Sequence, residues 1–92
     1  MHTMPIAKVL ERTRAYIREN FLYMRPDFPL GDDDPLLAKG IIDSMGVTEL
    51  VVFLEQEFDL VVAAEDITEQ NFGTVASIAR YVAASLSNGG HP

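Results

Sequence analysis

The chain has 92 residues, enough for one small domain but not two. Its 14 Asp and Glu outweigh 7 Lys and Arg, and the net charge of −7 repels nucleic acid and anionic lipid while favouring basic protein partners. Cysteine is absent, so packing alone must hold the fold, a reducing compartment is compatible, and any thiol chemistry requires an attached group.

The N-terminal stretch MHTMPIAKVLERTR carries charges where a secretory signal needs an uninterrupted apolar core. No apolar run approaches the ~18 residues needed to span a bilayer. The expectation is a soluble, cytoplasmic protein with neither membrane nor nucleic acid among its partners. Helical periodicity predicts a first helix over 4–21, with Thr3 as N-cap and Pro5 in the first turn, where its missing N–H costs little. Ile6, Val9, Leu10, Thr13, Ile17 and Phe21 lie along one side, Tyr16 at its edge, and Glu11, Arg14, Arg18 and Glu19 elsewhere.

The next stretch, YMRPDFPLGDDDPLLAKGI, is broken by Pro26, Pro29, Pro35, Gly31 and Gly40 and predicts a long loop. Leu36, Leu37 and Ile41 are candidates to pin it to the helices. Asp32, Asp33 and Asp34 lack ligand spacing for a metal, and a solvated turn is the expectation. A second helix is predicted over 44–58, with Val47, Leu50, Val51, Leu54 and Phe58 inward and Phe53 beside them. Met45 and Val52 fall nearly opposite, next to Glu49 and Gln56. That apolar strip either packs under the loop or docks a partner, and periodicity leaves both open.

DLVVAAEDITEQNF has room for a short helical turn over 65–69, with Val62, Ile67 and Phe72 as candidate core anchors. The last helix is predicted from a Thr74 cap to Ser85 or Leu86, with Val75, Ile78, Ala79, Val82 and Leu86 at i, i+3, i+4 spacing. SNGGHP predicts a fraying tail. The expected domain is 1–86, with a disordered tail over 87–92: an all-α bundle of three main helices plus one short helix, with a long loop between the first two.

Self-contained catalysis is poorly supplied. His2 and His91 are the only histidines, and both lie in the tails, so neither is held against a nucleophile. There is no Gly-rich phosphate loop and no zinc-type cluster. What remains is Asp43-Ser44. Asp43 is the candidate N-cap of the second helix. Ser44 then stands in the first turn with its hydroxyl outward, where a phosphate ester would gain ~0.3–1 kcal/mol from the helix dipole. Such pairs also occur simply as caps. Gly46 costs the helix roughly 1 kcal/mol relative to alanine, for which close packing and room for a ligand are both possible reasons.

LLAKGIIDSMGVTELVVFLEQEF, through Asp43-Ser44, Met45, Glu49-Leu50-Val51, Leu54-Glu55 and Phe58, resembles the phosphopantetheine attachment region of the acyl carrier protein and peptidyl (aminoacyl) carrier protein superfamily. ITEQNFGTVASIARYV is similar to the third- and fourth-helix region of the same family. The resemblance implies an acyl-carrier-protein-like bundle that is not an enzyme. Ser44 would receive 4′-phosphopantetheine from coenzyme A through a separate phosphopantetheinyl transferase, and Asp43 would orient the helix start and present Ser44. Met45, Glu49, Val52 and Glu55 would form the partner-binding face. The implied partners are that transferase, an adenylating or acyl-loading enzyme, and downstream synthase, transferase or tailoring enzymes, met by a monomer.

Two departures narrow the reading. Gly40 stands four residues before Ser44, not three as in carriers of primary fatty acid synthesis, and Gly46 replaces a larger residue. The spacing is similar to stand-alone aminoacyl and D-alanine carriers. The expectation is a free-standing carrier of an acyl or aminoacyl thioester in secondary-metabolite (nonribosomal peptide or polyketide type, antibiotic) biosynthesis. A carrier of fatty acid synthesis and an unmodified helical interaction module are the alternatives.

Overall fold

The computed structural model describes residues 4–87. Thr3, His2, His91 and all but the first residue of the expected tail lie outside that range. Four α-helices and a 3₁₀ turn follow in order: α1, Ile6–Phe21; α2, Ser44–Phe58; the 3₁₀ turn, Ala64–Asp66; α3, Glu69–Phe72; α4, Val75–Ser87. Among the described residues there is no strand. Nor is any helix among the described residues long and apolar enough to cross a membrane.

α2 has the predicted bounds because both ends are chemically marked. Asp43 caps the start, and Asp59 takes a left-handed conformation (φ 56°) at the end, where its N–H donates to Glu55 O. α1 begins two residues later than the spacing predicts. Pro5 is extended (φ −58°, ψ 143°), and its carbonyl accepts the first helical bonds from Lys8 and Val9. Thr74 Oγ1 accepts from the Ser77 N–H while Ser77 Oγ accepts from the Thr74 N–H, a reciprocal cap that starts α4 as expected.

α1 packs chiefly on α4, and α3 also rests on α4. Ile17, Leu50, Leu54, Ile78 and Val82 are wholly buried between the helices. Thr13 shares that core with its hydroxyl unpartnered. Thr13→Val keeps the shape and removes the orphan group, so it is expected to raise the unfolding free energy by about 1 kcal/mol, read from urea melts.

The long loop is tied down at several points. Leu30, Leu36, Ile41 and Ile42 are buried. The Leu36 N–H donates to Gly73 O and the Ala76 N–H to Asp32 O, fastening the loop to the head of α4. Arg14 on α1 donates to Leu30 O and pairs with Asp32. Asp34 accepts from the Gly31 N–H (2.8 Å) and meets Lys39 (3.3 Å). The backbone bond, then Lys39, holds the Asp34 carboxyl below its usual range. Its contribution to stability is therefore present at neutral pH and lost as pH falls through that lowered value. Two of the three clustered aspartates thus serve the loop itself.

The expected turn over 65–69 is instead two pieces, divided at Ile67 and Thr68. Thr68 Oγ1 accepts from the Asn71 N–H and opens α3. Asp66 holds both pieces: its carbonyl accepts from Asn71 Nδ2, and its carboxylate accepts from the Tyr81 hydroxyl at 2.9 Å. Burial, ahead of that bond, raises the Tyr81 pKa, so the contact is lost only as pH rises through the raised value. Val62 and Phe72 enter the core as expected, but Ile67 and Leu37 do not and are exposed. Ile67 falls in the break between the 3₁₀ turn and α3, where its N–H donates to Ala64 O and no helical face carries it into the core.

Candidate functional site

The start of α2 gathers the chemistry. Asp43 is extended (φ −108°, ψ −178°), and its Oδ1 accepts from the Gly46 N–H at 2.7 Å. The Val47 N–H donates to Asp43 O, closing the first turn. Ser44 is the first residue of the 15-residue helix and is exposed. The amides of Ser44 and Met45 have no acceptor within the helix, so the positive end of the dipole stands beside the Ser44 hydroxyl.

The backbone leading in is set by Gly40, whose φ of +69° suits glycine. Its carbonyl accepts from Arg25 across the loop at 3.1 Å, and the Arg25 guanidinium lies over the Phe28 ring, 4.6 Å from its centroid. Leu36 O accepts from the Ile41 and Ile42 N–H groups, so the approach to Ser44 is an ordered, buried step.

Gly46 is buried, and the structure answers why it is glycine. A Cβ there would stand 2.9 Å from Phe21 Cε1 and 3.3 Å from both Asp43 Oδ1 and Ile42 Cβ. Close packing against α1, not room for a ligand, accounts for it. Gly46→Leu is expected to cost about 1–3 kcal/mol in urea melts, because Phe21 or the Asp43 cap must shift.

Beside Ser44 lies a hollow of about 290 Å³ between α2 and α3, lined by Leu37, Val47, Thr48, Ile67 and Phe72 among others. Its walls are mainly apolar, with Thr48 and Thr68 supplying hydroxyls and Glu69 a carboxylate. Leu37 and Ile67, which miss the core as Ile6 at the head of α1 also does, are placed here. An exposed hydroxyl at a helix start, next to such a hollow, fits a phosphate ester carrying a long, partly apolar arm.

The four expected partner-face residues divide. Met45 (75% exposed), Glu49 and Val52 (44% exposed) lie open, so the apolar strip on α2 is not covered by the loop. Glu55 is half-buried, and its carboxylate accepts from the Val62 N–H at 3.0 Å, which engages it within the chain. Tyr16 stacks on Phe53 with ring centroids 4.0 Å apart, and the pair borders α2 beside Glu49 and Val52. The spacing gave no sign of Ile67 beside Ser44, nor of exposed Tyr23 and Met24 near it, because loop residues carry no periodicity.

A family model described as a phosphopantetheine attachment site matches residues 19–82, well over half the chain. The chain is 38% identical over 48 residues to aminoacyl carrier protein 2 of Bradyrhizobium diazoefficiens, covering 52% of this chain and 54% of that protein. It is 37% identical over 46 residues to the D-alanyl carrier protein of Streptococcus suis, covering 50% of this chain and 58% of that protein. The D-alanyl carrier protein of Streptococcus mutans is similar to the same extent. The chain spans a little over half the length of these curated relatives.

Proposed function

The chain belongs to the phosphopantetheine attachment-site family, and from that premise we propose that Ser44 takes the 4′-phosphopantetheine and that the cargo is aminoacyl or an unusual short acyl group. The family is defined by that covalent attachment, and its members are carriers on which other enzymes act, not catalysts. When bound, the group supplies a flexible arm ending in a thiol that holds the cargo as a thioester.

The observation that carries the proposal is the exposed Ser44 hydroxyl at the first position of α2, behind the Asp43 cap. Ser44 Oγ forms the new P–O bond, adenosine 3′,5′-bisphosphate leaves coenzyme A, and the hydroxyl proton passes to the transferase. Asp43 holds the turn so that Oγ is presented at a fixed place. The start of α2 stabilises the phosphodiester, and Leu37, Val47, Ile67 and Phe72 offer the arm an apolar wall. Met45, Glu49 and Val52 meet partner enzymes, and Glu49 together with the chain's net charge of −7 favours basic rims and rapid exchange.

An aminoacyl cargo is supported by the names of the relatives, an aminoacyl carrier and two D-alanyl carriers. It is supported also by a core filled by Leu36, Leu50, Leu54, Val75 and Ile78, which favours cargo held outside the bundle. Such a carrier serves a loading enzyme that activates an amino acid and later enzymes of a specialised pathway.

The test uses the absence of cysteine. After incubation with coenzyme A and a broad-specificity phosphopantetheinyl transferase, then removal of free coenzyme A, a thiol reagent should titrate one thiol per chain. Before treatment it should titrate none. A folded chain that gains no thiol with several transferases would instead favour the unmodified interaction module.

A further inference from the structure

The hollow between α2 and α3 is polar in one sense only. Ser44 stands at its edge, and much of its wall is apolar. Every polar side chain that borders it ends in oxygen: the hydroxyls of Ser44, Thr48 and Thr68 and the carboxylate of Glu69. No Lys or Arg lines it. At about 290 Å³ it also lies at the small end of the ~300–1,000 Å³ range of ligand pockets. The hollow therefore suits a group that is small, partly apolar and cationic.

Glu69 is placed to supply the charge. It is the first residue of α3, is exposed, and forms no ion pair among the described residues. Its carboxyl group lies back along α3 over Gly73, where a Cβ would stand 2.8 Å from Glu69 Cδ. Glycine at 73 leaves that position open. Thr68 Oγ1 accepts from the Asn71 N–H, and a hydroxyl oxygen has a second lone pair for another donor.

We infer that Glu69 is a specificity determinant for the cargo: its carboxylate pairs with the α-ammonium of an aminoacyl group whose side chain rests on the apolar wall at Leu37 and Ile67. The inference rests on Ser44 being the attachment residue and deepens the aminoacyl reading. An acyl group without an amine offers Glu69 no charge and sets hydrocarbon against a carboxylate. One exposed ion pair is too weak to hold a free amino acid, but the tether through Ser44 gives the cargo a high effective concentration. The same weakness lets a partner enzyme withdraw it. The pairing also protects the thioester. An ammonium beside the carbonyl draws hydroxide to the carbonyl carbon, and the thiolate then leaves, giving the free amino acid and the unloaded arm. A carboxylate on the ammonium offsets that attraction.

A broad-specificity phosphopantetheinyl transferase loads the chain directly from alanyl-coenzyme A or propionyl-coenzyme A; propionyl is alanyl without the amine. Intact mass then follows hydrolysis at neutral pH. Glu69→Gln is expected to shorten the alanyl lifetime about two- to fivefold, the effect of one exposed ion pair, and to leave the propionyl lifetime unchanged. Glu65→Gln, on the 3₁₀ turn and outside the hollow, is expected to match the parent with both cargoes. Amide NMR shifts between alanyl and propionyl chains should gather at Thr48, Thr68 and Glu69, and should vanish in Glu69→Gln. Equal alanyl lifetimes in the parent and a Glu69→Gln chain that melts normally in urea overturn the inference and leave Ser44 as the attachment residue. A lifetime shortened equally for both cargoes overturns it too, because the carboxylate then acts without the amine. A folded parent that accepts neither group overturns the reading on which the inference rests.

Discussion

Ser44→Ala is expected to take up no phosphopantetheine at any concentration of coenzyme A and transferase, and to melt within about 0.5 kcal/mol of the parent. The two halves of that result have separate physical causes. The side chain is exposed at the first position of α2, and the cap of the helix is the Asp43 carboxylate, so alanine loses no packing and no cap. Alanine is also the better helix former. What disappears is only the nucleophilic oxygen. Intact mass reads the first half and urea melting the second, so an unfolded variant cannot be mistaken for an unmodifiable one.

Leu54→Ala is expected to remove about 2–5 kcal/mol of stability, the largest loss from any single change proposed for this chain. Leu54 is wholly buried, on the face of α2 turned to the other helices. Its truncation leaves a cavity that wholly buried neighbours such as Leu50 and Ile78 can fill only by shifting. A domain of this size has roughly 5–14 kcal/mol in all, so the variant loses a large share of its folded population near body temperature. Val61→Ala, with more than half its surface exposed, should fall within about 0.5 kcal/mol of the parent in the same urea titration. Equal losses at the two positions would mean that α2 is not the inner wall of the core.

The sequence was most informative where chemistry and periodicity agreed. α2 was legible at both ends, because Asp43 marks its start and the apolar stripe runs out at Phe58. Thr74, legible as a cap, made the head of α4 equally clear, and the structure adds its reciprocal bonds with Ser77. α1 began two residues late because an extended Pro5 stands where a first-turn proline was expected. α3 was blurred into its neighbour, since four residues cannot show a period, although the Thr68 cap was there to be read.

The site divides along the same line. Asp43 and Ser44 were legible by position only as a helix cap and its neighbour, and the resemblance of the surrounding stretch made Ser44 the attachment candidate; their geometry follows from a single capped turn. Gly46 could not be resolved, because only the ring of Phe21, distant in sequence, shows that the space is filled. Ile67 and Leu37 look like core residues in a list of apolar positions, yet both line the hollow beside Ser44. Beside them Asp66 ties Asn71 and Tyr81, and Arg25 bonds Gly40 across the loop. Such long-range side-chain bonds leave no periodic trace. Glu55 shows the converse: the family resemblance implied a partner-facing carboxylate, but the Val62 amide engages it.

The most direct test of the account is where the group is attached. Trypsin should release residues 40–80 as one peptide, since no Lys or Arg lies between Lys39 and Arg80. That peptide contains Ser44, Thr48, Thr68, Thr74 and Ser77 as possible acceptors. After treatment with coenzyme A and transferase, fragmentation should place a single phosphopantetheine on Ser44 and leave every other hydroxyl bare. Attachment at any other residue, or none on a folded chain, would contradict the reading of the α2 start as the carrier site.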